Sequence, residues 1–172
     1  RIVGAGGMAA AVEADLTDMG AVDALIKSAT KAVGPVSLLV NNASMFDADS
    51  ILDFDWEIWD RHFALHVKTP ALLSRRFAEA LPQDLEGLIV NIVDERVWRP
   101  RPRHFSYTLS KSALWTMTQT MAQALGPRIR VNAIGPGPTL PNTRQTEAGF
   151  QRQLDSLILK RGPDLGEFGE TI

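Results

Sequence analysis

The chain alternates short apolar runs with longer segments whose apolar residues recur every three or four positions. "VSLLV" (36–40) and "GLIVNIV" (87–93) are almost wholly apolar, and "IRVNAIGPG" (129–137) passes from an apolar stretch into a Gly/Pro loop. Runs of this length and composition predict buried strands. Between them, "TDMGAVDALIKSATKAVG" (17–34) spaces Val22, Leu25, Ile26, Ala29 and Val33 as on one helix face, with Thr17 as the expected N-cap and Gly34-Pro35 as the stop. A single long helical region from about Trp56 to Leu81 carries Trp56, Trp59, Phe63, Val67 and Leu72 on one side. "FSYTLSKSALWTMTQTMAQALG" (105–126) predicts a helix closed by Gly126-Pro127, and "EAGFQRQLDSLIL" (147–159) a last amphipathic helix. "MAAAVEADL" (8–16) reads as a further β-type run ending around Asp15, preceded by a turn at Gly4–Gly7.

Near-continuous apolar strands separated by helices predict a parallel sheet covered on both faces. The right-handed crossover rule makes this a doubly wound, Rossmann-like α/β fold, with residues 1–172 as a single domain. In such sheets ligands bind beyond the carboxyl ends of the strands. Three strand ends therefore matter: Asn41–Ser44, Asp94 and Gly135–Thr139. They should gather along one edge of the sheet, beside the start of the helix that bears Tyr107 and Lys111.

Composition narrows the classes. At 172 residues the chain has enough length for a core, and 45% apolar with 22% charged residues is ordinary for a globular protein. A formal charge of −2 gives no electrostatic case for nucleic acid or an anionic membrane surface as a partner, and the one dense basic run (Arg96, Arg99, Arg101, Arg103) is short. No stretch is long and apolar enough for a membrane span. The absence of cysteine excludes disulfides and thiolate metal sites and fits a reducing, cytoplasmic setting. His62 and His66 lie four apart, but no glutamate follows His62 and no third ligand is apparent, so no metal is expected.

Tyr107 and Lys111, spaced i and i+4, share a helix face. A phenol titrates near pH 10 when unperturbed, and a neighbouring ammonium is expected to lower that value. The pair is then a tuned proton donor for an atom that becomes negative as hydride arrives. Read alone, the spacing is equally that of a partly buried tyrosine beside a solvated lysine.

Taken in order, "NNAS" at 41–44, Tyr107-x-x-x-Lys111 and "RVNAIGPG" at 130–137 resemble the short-chain dehydrogenase/reductase family over nearly the whole chain. The resemblance implies a nicotinamide cofactor, NADP with NAD as the other option. It places Asp15 and Leu16 near the adenine, and Asn41, Asn42, Ala43 and Ser44 along the dinucleotide. It puts Tyr107 and Lys111 at the nicotinamide ribose, and Pro136, Gly137 and Thr139 beside the nicotinamide and phosphates. It also implies a homodimer or homotetramer formed through the helices around 56–81 and 105–126. The family's glycine-rich phosphate loop is absent, since "GAGG" follows no buried strand and lacks the third glycine. The first βαβ unit and the C-terminal strand are therefore expected to lie outside the chain, which reads as an interior portion of a larger domain.

Two departures point to the substrate. Where the family usually has a serine thirteen residues before the tyrosine, this chain has Asp94. A carboxyl group can supply a proton, and reduction of a ring C=N bond requires protonation at nitrogen. That variant resembles the pteridine reductases, and within them the bacterial dihydromonapterin reductase branch, which also shares a histidine at the position of His66. A dihydropterin is the implied substrate. A small ketone or alcohol with Asp94 standing in for serine is the alternative, as is a cofactor-binding protein without turnover. The catalytic set is then Asp94, Tyr107, Lys111 and His66, the last as a proton-relay imidazole or as a satisfied core histidine. Met45, Phe46 and Trp98, with Asp94 and Tyr107, are the candidate substrate wall, Met45, Phe46 and Trp98 being equally candidates for core or interface.

Overall fold

The computed structural model describes residues 2–140 and 146–172. Its centre is a three-stranded parallel sheet in the order β1 (Leu38–Asn41), β2 (Gly87–Ile92), β3 (Ile129–Ile134). Leu38 pairs with Leu88 and Asn41 with Asn91 on one side of β2, and Gly87 with Ile129 and Ile92 with Ile134 on the other. All three strands thus point the same way, and their carboxyl ends emerge together.

The central strand is buried along almost its whole length, as a strand covered on both faces must be. β3 departs from that expectation. Ile129 and Val131 are buried while Arg130 and Asn132 are exposed, so it is covered on one face and follows the two-residue alternation of a half-solvated strand. The β-type run expected at 8–16 forms no strand: these residues have no regular structure, and Met8 and Val12 are exposed. An extended segment becomes a strand only when a neighbouring strand takes its backbone hydrogen bonds, and among the described residues no strand pairs with this one.

Helix α1 (Met19–Val33) is capped by Asp18, whose carboxylate accepts the Gly20 N–H at 2.8 Å, and not by Thr17, whose N–H and hydroxyl both bind Asp15. The region expected as one helix over 56–81 is divided into α2 (Trp56–Phe63), a π-helical turn (Ala64–Lys68) and α3 (Thr69–Ala80). Pro70 has no N–H to offer the carbonyl four residues back, at His66, so the α-register cannot run through this point. The wider turn absorbs the break, and π-turns of this kind recur at functional positions. Helix α4 (Phe105–Leu125) follows β2, and α5 (Glu147–Ser156) and α6 (Leu165–Glu170) close the chain. α6, with its Asp164/Glu167 capping box, lacks the apolar period that made the other helices legible.

The main core is built where α1 and α3 meet the sheet: Val22, Ile26, Leu73, Phe77, Leu81, Ile89, Ile129 and Val131. Phe77 closes over Gly87, where an added Cβ would come within 2.9 Å of the Leu81 side chain and 3.0 Å of the Phe77 ring, so a larger residue there must displace one of them. Among the described residues no helix is long and apolar enough to cross a membrane. Phe77→Ala is expected to cost about 3–5 kcal/mol, the usual loss for a fully buried phenylalanine, measured as a lowered urea midpoint in the full-length protein.

Candidate active site

The carboxyl ends of β2 and β3 and the first turns of α4 converge on one open cavity of about 850 Å³, whose wall includes Phe46, Asp94, Tyr107, Pro136, Gly137 and Thr139. Asp94 follows β2. One carboxylate oxygen accepts the Arg96 N–H at 2.8 Å and so caps the short 3-10 turn at Glu95–Val97. Its other oxygen accepts the Tyr107 hydroxyl, also at 2.8 Å. The thirteen-residue spacing thus closes into a direct contact, on one side of which lies Lys111.

Lys111 is 2% exposed and donates to the Ile92 carbonyl at 2.7 Å, with its Nζ 5.9 Å from the centre of the Tyr107 ring. Burial lowers its pKa to about 8, against the pull of Asp94, which favours the cation. Tyr107 behaves oppositely to the expected depression. Burial first, then the Asp94 charge and hydrogen bond, push the phenol well above its ordinary value, and Ser44 and Arg96 oppose this only partly. The reason is geometric: the ammonium is spent on a backbone carbonyl, while the phenolic proton is held by a carboxylate. At neutral pH the tyrosine is a retained proton donor.

Beneath this pair lies an arrangement with two rungs. On the α2/π-turn side His62 and His66 are four apart; on α4 Ser106 and Ser110 are four apart. His62 Nδ1 meets the Ser106 hydroxyl at 2.7 Å and His66 Nδ1 meets that of Ser110 at 2.8 Å. Each serine gives its own proton onward, Ser106 to the Asp49 carboxylate and Ser110 to the Tyr107 carbonyl. Both histidines must therefore donate from Nδ1, which leaves Nε2 as an acceptor. Those acceptors take backbone N–H groups of the loop after β1: Met45 at 3.3 Å for His66 and Asp47 at 3.4 Å for His62, with the Ser44 hydroxyl 3.0 Å from His66. Burial above all, then the Lys111 and His62 charges, hold the His66 pKa down at about 2; burial likewise lowers that of His62. His66 is thus a neutral strut with both nitrogens occupied.

The remaining expected residues fall into two groups. Phe46 stands on the cavity wall, stacked on the His104 ring at 3.8 Å and edge-on to Tyr107 at 4.7 Å. Pro136, Gly137 and Thr139 line the same cavity, while Leu16, Asn41, Asn42 and Ala43 share a separate narrow crevice where Thr69 holds the Leu16 carbonyl. Asp15 is exposed nearby in sequence, its carboxyl held below the usual range by Thr17. Asn41 does not present its amide to that crevice: it is buried and donates to Asn91 at 2.8 Å, which in turn donates to Thr118 at 2.9 Å. Met45 takes part through its backbone N–H and does not line the cavity. Trp98 is also outside it, packed over Gly135 and edge-on to Trp115 at 5.3 Å. Gly135 is the position that requires this, since a Cβ there would lie 2.5 Å from the indole.

Asp49, Ser106 and Ser110 were missed by motif reading. Their one signal is the matched spacing: each histidine–serine pair is separated by 44 residues, so two equal i, i+4 steps face each other. Asp49 is legible only in space. It accepts the Ser106 N–H at 3.1 Å and so caps α4 from another segment, where the residue at the helix's own cap, His104, sits at φ 61° and its side chain makes no capping bond.

The short-chain dehydrogenase family model matches residues 1–151. The chain belongs to the short-chain dehydrogenase family. It is 36% identical over 138 residues to a short-chain type dehydrogenase/reductase of Picea abies, covering 78% of this chain and 51% of that protein. It is 35% identical over 160 residues to L-xylulose reductase of Bos taurus, covering 91% and 63%. The chain thus spans about half to two thirds of the length of these curated relatives. Among solved structures it is similar to the FolM alternative dihydrofolate reductase 1 of Brucella canis, crystallised with NADP, at 55% identity and a TM-score of 0.95 over 98% of this chain and 67% of that one. The Brucella suis protein, also in complex with NADP, is 56% identical with a TM-score of 0.94, covering 98% and 68%.

The neutral rungs carry a pH signature. An unfolded histidine titrates near pH 6.5, whereas folded His66 stays neutral down to about pH 2. Below 6.5 the unfolded chain binds a proton that the fold refuses, so stability is full above that pH and is lost as pH falls. His66 alone is expected to account for about 1.4 kcal/mol between pH 7.5 and 5.5. Urea unfolding of the full-length protein at the two pH values should show this loss, reduced by that amount in His66→Gln.

Proposed function

We propose that the full-length protein is an NADP(H)-dependent reductase of a dihydropterin. The observation that carries the reading is the Tyr107–Asp94 hydrogen bond of 2.8 Å, in a cavity with an aromatic wall at Phe46. A carboxyl group at this point, once it has taken up a proton from solvent, can pass it to a ring nitrogen, directly or through the phenol, which a serine hydroxyl cannot readily do. Phe46, held flat by His104, offers a face on which a planar pterin can stack.

The residues present fit a nicotinamide cofactor. Tyr107, Pro136, Gly137 and Thr139 share one wall, Lys111 lies buried against Tyr107, and Leu16, Asn42 and Ala43 line the neighbouring crevice. When bound, the reduced nicotinamide supplies the hydride. The chain's own residues then orient and protonate. Lys111 keeps a positive charge beside the phenol, Tyr107 holds its proton at Oη for the substrate atom that gains negative charge as hydride arrives, and Asp94 orients that hydroxyl through its second oxygen. His66 and His62 fix the loop that carries Phe46, a positioning role. The NADP-bound Brucella structures support this cofactor, and their description as alternative dihydrofolate reductases supports a reduced-pterin substrate. The likeness to L-xylulose reductase supports the competing reading, a carbonyl substrate with Asp94 in place of serine. The aromatic group of Phe54, Trp56, Trp59 and Phe105, where Trp56 is 65% exposed, supports association into a dimer or tetramer.

Following NADPH consumption by the full-length protein with a 7,8-dihydropterin and with simple ketones separates the two readings. Turnover confined to ketones rejects the pterin assignment. Tyr107→Phe is expected to lower kcat by about a hundredfold or more, the usual size of a lost general acid. Asp94→Ser should lower pterin reduction by a comparable factor while sparing any ketone activity. In wild type, kcat/KM for the pterin should fall as pH rises through about 8, where Lys111 loses its charge, and Lys111→Arg should move that break to higher pH.

A further inference from the structure

The wall that holds Tyr107 and Asp94 also carries four arginines from two parts of the chain: Arg96, Arg101 and Arg103 before α4, and Arg152 on α5. The lining includes two carboxylates, Asp94 and Glu95, and both are engaged. Asp94 serves Tyr107 and the Arg96 N–H; Glu95 accepts Arg101 at 3.2 Å. Arg96 is used internally as well. Its guanidinium donates to the Arg103 carbonyl at 3.1 Å and lies 5.4 Å over the Phe46 ring. Arg103 and Arg152 remain, and neither has an acidic or hydrogen-bonding side-chain partner among the described residues.

An exposed arginine is ordinarily just solvated. These two differ because they share a wall with the reacting groups, come from separate elements, and include one whose backbone is held in place. Arg103 sits between Pro102, whose ring fixes φ, and His104, whose ring is stacked on Phe46 and whose N–H binds the Asp49 carbonyl at 2.9 Å. The backbone at that point is therefore already placed when a ligand arrives. Guanidinium forks match carboxylate and phosphate geometry, and a cavity with unpaired cations favours an anionic guest.

We propose that Arg103 and Arg152 form an anion-binding subsite, so that the substrate is a dihydropterin carrying a carboxylate or phosphate on its side chain in preference to a neutral one. This rests on the pterin reading above. The pterin ring would lie against Phe46 with its reacting nitrogen toward Asp94 and Tyr107, and the charged tail would reach the two arginines.

The test uses the full-length protein with NADPH and three probes: 7,8-dihydrofolate for a carboxylate tail, 7,8-dihydroneopterin monophosphate for a phosphate, and 7,8-dihydrobiopterin for a neutral side chain. The readout is the ratio of kcat/KM for each charged probe to that for dihydrobiopterin. In the Arg103→Ala/Arg152→Ala variant this ratio is expected to fall about tenfold, the usual size of a lost charge-assisted hydrogen bond, with part of it restored in Arg103→Lys/Arg152→Lys. A fall confined to dihydrofolate assigns a carboxylate, and one confined to the phosphate ester assigns a phosphate; both support the subsite. Wild-type preference for the charged probe should also shrink as ionic strength rises. An unchanged ratio, or a rise in the KM for NADPH in its place, overturns the subsite while leaving the pterin reading intact. Wild-type protein that turns over none of the three probes defeats the pterin reading and the subsite together.

Discussion

Burying the polar face of a helix commits every group on it to a partner, and α4 meets that commitment with bonds that leave it one position. Ser106, Tyr107, Thr108, Ser110, Lys111 and Thr118 are all buried. Ser106 reaches Asp49, Tyr107 reaches Asp94, Lys111 reaches the end of β2, and Ser110 joins His66 to the Tyr107 carbonyl. A rotation or slide of α4 would orphan several of these at once, each at the cost of an unmade buried hydrogen bond. The phenol's position opposite Asp94 follows from that collective constraint more than from the single contact between them.

The electrostatics of the pair follow from the same geometry. With a serine before the tyrosine, Lys111 would be the nearest charge; with Asp94 there, the carboxylate is nearer the phenol than the ammonium is. Asp94 therefore stabilises protons on both neighbours, raising the phenol and holding up a lysine that burial alone would neutralise more readily. Near neutral pH the phenol keeps its proton and the lysine its charge.

Reading strands from apolar runs succeeded where burial is two-sided. "GLIVNIV" became β2, buried almost throughout, and the strand ends bearing Asp94 and Pro136–Thr139 reached one cavity. It failed where hydrogen-bond partners decide: "MAAAVEADL" has the composition of a strand and no neighbour to pair with. Periodicity located α2 and α3 but could not show the π-turn, since the break comes from one missing N–H at Pro70 and leaves the apolar spacing nearly unchanged. Tyr107, Lys111 and Asp94 were legible because their chemistry is tied to local spacing. Trp98, open in the sequence to substrate wall, core or interface, fills the hollow over Gly135, a choice that local sequence does not decide. The histidine–serine rungs escaped notice because their partners are joined only by the fold.

The two loops that would touch a substrate are bound to each other more than to the sheet. His104 takes the Asp49 carbonyl through its N–H, meets the Asp47 carbonyl at 3.0 Å through Nδ1, and stacks on Phe46. Arg96 ties the second loop to itself and to the same ring. Loops that carry recognition are ordinarily the mobile parts of an α/β scaffold, yet here they meet at a non-glycine residue in the left-handed region, at φ 61°, a conformation retained only when its surroundings over-determine it. The strain at His104 is offset by those three contacts, and what they hold in return is the orientation of Phe46. One stitched unit thus holds both the aromatic wall at Phe46 and the arginine-rich loop beside Tyr107.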